Sequence, residues 1–209
     1  CPPGASANVR LKRDPMTMKT LVLYDSLGGN TERVARRIHE VVETRGQEST
    51  IVKLQEHTDL DFYDYDLVFL GSPVIEWLPT KQMMGFVKRK LRDYRLRGDI
   101  PSRAVSVKPG RFAVCFGTNC GAHIGVDEAS PMTEWLAAFL GHIGYRVVDK
   151  LHLPGEMRDF GQGADWMDAK VFESLNTLGE YGDIRGRPNE EDLMQLEQHV
   201  TNMLMTLAT

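Results

Sequence analysis

A short run rich in glycine and hydroxyl-bearing residues has the composition of a phosphate-binding loop. It reads Asp25-Ser26-Leu27-Gly28-Gly29-Asn30-Thr31 and follows the apolar run Leu21–Tyr24 directly. Glycines let the backbone turn tightly and point its N–H groups inward. A helix that begins at Asn30 would add free N–H donors and a partial positive charge. We therefore predict that a phosphate is held by Ser26, Leu27, Gly28, Gly29, Asn30 and Thr31.

The type of phosphate follows from what this loop lacks. It has neither the GxGxxG pattern of dinucleotide sites nor the lysine of a Walker loop. These absences favour a terminal monophosphate. The alternative is an ordinary turn whose helix is capped by Asn30 or Thr31.

A second candidate loop follows the apolar run Leu67–Leu70. An indole face can stack on a flat heterocycle, and Trp77 lies here among polar and turn residues. The alternative is that Trp77 caps the core. The ring-binding residues predicted in this loop are Ser72, Pro73, Val74, Ile75, Glu76 and Trp77.

A third candidate loop follows the apolar run Phe112–Phe116. Its small residues allow close backbone approach, and its N–H groups can bind a carbonyl or ring nitrogen of a heterocycle. Cys120 has no neighbouring His or Cys pattern that indicates a reactive thiol, so we favour a passive role for it. The predicted residues are Gly117, Thr118, Asn119, Cys120 and Gly121.

The elements that must position these loops alternate between strand and helix. Five apolar runs separated by helical periodicity predict a parallel sheet covered on both faces. In such sheets ligands bind beyond the carboxyl ends of the strands. The predicted strands cover residues 21–24, 50–54, 67–70, 112–116 and 145–153, and the predicted helices cover residues 30–46, 80–96, 134–143, 165–178 and a last one from near Pro188.

The three loops together resemble those of the flavodoxin family. In that family a hydroxyl residue precedes Gly-Asn-Thr at the start of the first helix, as it does here. Gly71-Ser72-Pro73 matches the start of the family's second flavin loop, and Gly117-Thr118 matches the start of the third. Residues 186–193 resemble the lead into the family's final helix. The resemblance covers Met18 to Ala208.

The resemblance implies both a fold and a cofactor. The fold is α/β, a doubly wound five-stranded parallel sheet with strand order 2-1-3-4-5. The cofactor is FMN, with its phosphate on Ser26 and residues 28–31, and its ring between residues 72–77 and residues 117–121. Electron-carrying flavodoxins often have a glycine in the second loop, whereas residues 74–77 here are Val-Ile-Glu-Trp.

Charge is distributed unevenly along the chain. The formal net charge is −4, but Lys81–Arg111 contains ten basic and two acidic residues. This basic segment is consistent with a solvated helix face. It is also consistent with a binding surface for an acidic redox partner or for a pyridine-nucleotide phosphate.

Composition bounds the remaining possibilities. The 209 residues suit one domain, predicted over residues 18–209 after an extension at residues 1–17. We expect a cytoplasmic protein, because there is no bilayer-spanning apolar run and no cysteine framework. The sequence has no metal-ligand spacing, no GxSxG pattern and no nucleic-acid motif, so we expect no metal, no catalytic residue and no nucleic-acid or membrane partner.

Three functions are consistent with the sequence. The leading hypothesis is an FMN-binding electron carrier that shuttles electrons between redox proteins, as a monomer or a dimer. The first alternative is an NAD(P)H-dependent FMN or quinone reductase on the same fold. The second is a flavin-free interaction module, because a fold alone does not establish a function.

Overall fold

A computed structural model describes residues 17–158 and 167–208 of the chain. The five strands are β1 (Lys19–Tyr24), β2 (Glu48–Lys53), β3 (Leu67–Pro73), β4 (Phe112–Asn119) and β5 (Arg146–Pro154). The five α-helices are α1 (Asn30–Thr44), α2 (Lys81–Leu96), α3 (Ser130–His142), α4 (Ala169–Thr177) and α5 (Glu190–Leu207).

The strands form one parallel sheet with the order β2-β1-β3-β4-β5. The predicted fold class and strand order are therefore confirmed. Strand order reverses between β1 and β3, so the segments that follow these two strands lead to helices on opposite faces of the sheet. This is where parallel sheets open a crevice for ligands.

A separate hydrophobic core covers each face of the sheet. One core packs α2 and α3 against it, with Phe62, Phe86 and Phe139 fully or almost fully buried. The other packs α1 and α5, with Ile38 and Val200 fully buried. Each such side chain contributes roughly 1.5–3 kcal/mol by burial. The two cores therefore fix the positions of the strand ends from which the loops leave.

The helix boundaries follow local capping chemistry. Helix α5 begins with a capping box, in which the Asn189 side chain accepts from the Asp192 N–H and the Asp192 carboxylate accepts from the Asn189 N–H. Helix α3 begins at Ser130, four residues before the predicted start at Glu134. That prediction was wrong because Pro131 is tolerated in a first turn, where its missing N–H has no helical acceptor.

Among the described residues after β5, the first helix begins later than predicted. The predicted helix over residues 165–178 is observed as α4, capped by Asp168, whose carboxylate accepts from the N–H groups of Lys170 and Val171. Residues 165 and 166 lie outside the described part of the chain. The predicted extension at residues 1–17 also lies outside it, except for Thr17.

Candidate functional site

A cavity at the carboxyl edge of the sheet brings together residues from all three predicted loops. Its walls also include a fourth segment, which follows β5. Most of the predicted residues meet here, although they are separated by up to 94 positions in the chain. The lining residues are Ser26, Gly28, Asn30, Thr31, Pro73, Val74, Ile75, Thr118, Asn119, Cys120, Gly155, Glu156 and Met157.

The first loop turns directly into α1 through Gly29. This residue has a φ of 89°, in the left-handed region that glycine adopts at little cost. The Ser26 hydroxyl accepts from the N–H groups of Gly29 and Glu32, at 3.2 and 3.3 Å. Within the described residues, the N–H groups of Leu27, Gly28, Asn30 and Thr31 make no hydrogen bond. Four backbone donors thus remain available around one turn.

Asp25 connects the first loop to the second. Its buried carboxylate accepts from the Ser26 N–H at 2.8 Å and from the Thr80 hydroxyl. The Thr80 N–H in turn donates to the Ser72 hydroxyl at 3.1 Å, and the Thr80 hydroxyl caps α2 by accepting from the Met83 N–H. The two loops are therefore held in one fixed relation by a network that the sequence did not predict.

The second loop forms a tight turn with an unusual backbone. Ile75 and Leu78 exchange both of their backbone hydrogen bonds, at 2.9 and 3.0 Å. The residues between them, Glu76 and Trp77, have φ values of 49° and 65°. Such values are strained for residues with a side chain. The alternative that Trp77 caps the core is wrong, because this residue is 60% exposed.

Two predicted residues of the third loop have packing roles. Gly117 lies within β4, and a Cβ there would be 2.1 Å from Met132 Cε. Gly121 has a φ of 55°, and a Cβ on it would be 2.2 Å from the Tyr181 ring. Small residues do permit a close approach at both positions, but the groups that approach are side chains of the protein itself. Cys120 does line the cavity, and burial raises the pKa of its thiol, which supports a passive role.

The segment after β5 is a fourth wall that sequence reasoning missed. The Asn30 side chain donates to the Glu156 carbonyl at 2.8 Å, and the Gly155 N–H donates to the Asn119 carbonyl at 2.9 Å. Arg158 donates to the Gly28 carbonyl at 3.3 Å. Glycine and polar residues are frequent after β5, but they form no pattern that marks this segment as part of the site. Gly155 packs closely on Asn30 and Thr118.

The residues around α4 hold this fourth wall and the third loop in place. The Asn176 side chain makes two hydrogen bonds to the Met157 backbone, at 2.8 and 2.9 Å. The Tyr181 ring packs on Gly121, and Ile184 is fully buried. Asn176 and Tyr181 therefore support two walls of the cavity.

Not every predicted residue reaches this cavity. Leu27 and Glu76 line an adjacent cavity with Asp25, Thr80 and Lys81. The cavity that joins the loops is not lined by Gly29, Ser72, Trp77, Gly117 or Gly121.

Other classes of site find no counterpart in the described residues. His123, next to the third loop, points to solvent with its Nδ1 3.5 Å from the Glu128 carboxylate. Residues 17–158 and 167–208 contain no group of three His, Cys, Asp or Glu side chains suited to a metal ion. None of the helices in the same residues combines the length and apolar character needed to cross a bilayer.

Comparison with known proteins agrees with this architecture. Residues 21–91 match the model of a flavodoxin domain, the segment that contains the first two loops. A flavodoxin from the domain Archaea superposes with a TM-score of 0.56 at 15% identity, covering 92% of this chain and 100% of that one. The resemblance seen in the sequence is confirmed: the chain contains a flavodoxin-like domain and has the flavodoxin-like fold.

Two further similarities lie outside the simple flavodoxins. The flavodoxin-like domain-containing protein BilS of Clostridioides difficile (strain CD3) is 43% identical over 56 residues, which is 26% of this chain and 30% of that protein. The chain is thus matched to less than a third of that relative's length. A flavone reductase has the same fold, with a TM-score of 0.54 at 12% identity over 91% of this chain and 63% of that one.

Proposed function

We propose that the chain binds FMN in the cavity between its loops and serves as an electron-transfer flavoprotein. The observation that carries this proposal is the set of four unpaired backbone N–H groups at Leu27, Gly28, Asn30 and Thr31 within the described structure. They surround the start of α1, whose dipole favours an anion. A terminal phosphate is the ligand group that such a loop recognises best.

The polar atoms of the cavity also fit a flavin. Asn30 Oδ1 and Asn119 Oδ1 are buried and have no hydrogen-bond partner among the described residues. Buried polar atoms are normally paired, so each is a candidate acceptor for a ligand hydroxyl or ring N–H. FMN would supply the redox chemistry when bound, and the protein's own groups would orient it and exclude water.

We prefer a carrier to an enzyme because, among the described residues, the cavity is lined by no histidine and by a single carboxyl group. That group is Glu156, whose carboxylate is paired to Arg158 at 2.8 Å. Electron transfer requires no protein group to act on a substrate. A cytoplasmic setting accompanies this proposal, supported by the free thiols of Cys115 and Cys120.

An acidic redox protein is the partner we propose. Lys81, Lys88 and Arg95 are spaced seven residues apart, so they form one stripe along α2. All three are exposed, and none has a carboxylate within ion-pair distance in the described structure, unlike Lys90 and Arg97. We call these three residues the cationic stripe. It begins beside the second loop, where Lys81 and Glu76 line the same cavity.

Replacing Ser26 by aspartate tests the phosphate loop. A carboxylate here would take the N–H groups of Gly29 and Glu32 and repel a phosphate. We expect FMN affinity, measured by quenching of flavin fluorescence, to fall at least about tenfold. Ser106→Asp is the matched control, since it adds the same charge at an exposed position before β4.

The same titration separates the rival functions. Equal FMN affinities for the Ser26→Asp and Ser106→Asp variants would contradict the assigned loop. A protein that never binds FMN would favour the flavin-free interaction module. Sustained oxidation of NADPH or NADH with a quinone, by the FMN-loaded protein, would favour the reductase over the carrier.

A further inference from the structure

We infer that Arg158 pairs with the flavin phosphate and makes this site specific for FMN over riboflavin. This inference rests on the proposed FMN function. The phosphate loop itself, residues 25–31, contains no lysine or arginine. Arg158 lies 130 positions away from Gly28 in the chain, and the fold brings it to the rim of that loop.

The position of Arg158 is defined by its hydrogen bonds. One guanidinium nitrogen donates to the Gly28 carbonyl at 3.3 Å, while two nitrogens donate to the Glu156 carboxylate at 2.8 and 3.1 Å. Gly28 carries one of the four unpaired N–H groups. The guanidinium is thus held next to the donors that define the phosphate position.

The backbone that carries Arg158 is itself fixed at several points. The Glu156 carbonyl accepts from the Asn30 side chain, and the Glu156 N–H donates to the Arg187 carbonyl at 2.9 Å. Met157 is held on both sides by the Asn176 amide. Arg158 therefore follows two residues whose backbone is hydrogen-bonded to the first loop, to α4 and to the turn before α5.

The chemistry of the group suits a phosphate monoester. A guanidinium presents a planar array of donors that matches phosphate oxygens, and it keeps its charge at any physiological pH. The side chain is 49% exposed, so it can turn from Glu156 to a ligand without leaving a buried charge unpaired. Glu156 therefore competes with a phosphate for the guanidinium.

The experiment compares FMN with riboflavin on the full chain. In the Arg158→Gln variant we expect the FMN dissociation constant to rise about tenfold and the riboflavin constant to stay unchanged. The dependence of FMN affinity on salt should weaken in the same variant. Glu156→Gln should shift the FMN constant in the opposite direction, because it releases the guanidinium.

The control is Arg33→Gln. Arg33 lies on α1, and its guanidinium donates to the Gly186 carbonyl at 3.3 Å without contacting the phosphate loop. An unchanged ratio of FMN to riboflavin affinity in Arg158→Gln would overturn the inference while leaving the proposed function intact. Failure of the unmodified protein to bind either flavin would instead overturn the proposed function. An equal loss of both affinities would show that Arg158 shapes the cavity and does not read the phosphate.

Discussion

At the scale of single residues, the first loop has an unstrained backbone, whereas the second loop has a strained one. The first loop uses Gly29 where the backbone needs a positive φ. The second places Glu76 and Trp77 at positive φ, where asparagine and glycine are the usual residues of a tight turn. Strain of this kind is of order 1–3 kcal/mol per residue and persists where surrounding structure and function favour it.

Relieving this strain should separate stability from flavin binding. We expect the double variant Glu76→Asn, Trp77→Gly to have a free energy of unfolding about 1 kcal/mol higher, because both residues then match the turn. Its urea midpoint should rise accordingly. We expect its FMN affinity to fall, since the exposed indole next to the cavity is lost. Equilibrium urea unfolding and FMN titration measure the two effects.

The single variant Glu76→Asn serves as a control for this pair of effects. Glu76→Asn should increase stability and leave flavin affinity nearly unchanged. If the double variant bound FMN as tightly as the parent protein, Trp77 would have no part in the flavin site.

At the scale of elements, charged contacts hold α1 beside the end of β2. The Glu32 carboxylate accepts from Arg36 one turn later and from Lys53 at 2.9 Å. The hydrogen bond from Arg36, and then the one from Lys53, lower the pKa of Glu32. Because the pKa is lower in the folded state, this stabilisation is present above the unfolded pKa and disappears as pH falls through the folded value.

Glu32→Gln should therefore destabilise the protein near neutral pH and have no effect in acid. Both cationic partners are partly exposed, so we expect only about 0.5 kcal/mol. The measurement is the free energy of unfolding at pH 7 and near pH 3, with Glu56→Gln as a control that has no ion pair in the described residues. A larger penalty in acid than at neutral pH would contradict the assigned cause.

The same scale shows what the sequence could predict. Apolar runs and periodicity predicted β1, β3 and α1, because those segments are buried on a regular repeat. The strand order was implied by the resemblance to the flavodoxin family. The cavity's fourth wall could not be predicted in this way. It depends on contacts such as those of Asn176 with Met157, and of Arg158 with Gly28, which join distant segments through single hydrogen bonds. The early start of α3 was missed because Pro131 reads as a helix breaker.

At the scale of the whole molecule, the cationic stripe begins close to the cavity at the carboxyl edge of the sheet. The cationic stripe starts at the carboxyl edge with Lys81 and runs roughly 20 Å along α2 to Arg95. Within the described structure, three other cations of the basic segment are paired with carboxylates: Lys90 with Asp59, Arg92 with Asp93, and Arg97 with Asp61 and Asp99. A partner with acidic groups would therefore be attracted to one side of the proposed flavin site.

Neutralising the stripe should slow reaction with anions. We expect the FMN-loaded variant Lys81→Gln, Lys88→Gln, Arg95→Gln, once reduced, to be oxidised more slowly by ferricyanide at low salt. The difference should shrink as salt screens the charges. The control, Arg45→Gln, Arg103→Gln, Arg146→Gln, changes net charge equally at exposed positions away from the cavity. Equal rates for both triple variants at low salt would contradict a role for the stripe.

The central claim is that the cavity at the carboxyl edge holds FMN by its phosphate. The most direct measurement is a fluorescence titration of the flavin-free full chain with FMN and, separately, with riboflavin. We predict saturation at one FMN per chain with strong quenching, and clearly weaker binding of riboflavin. Equal affinity for both flavins, or no saturable binding of FMN, would contradict the claim.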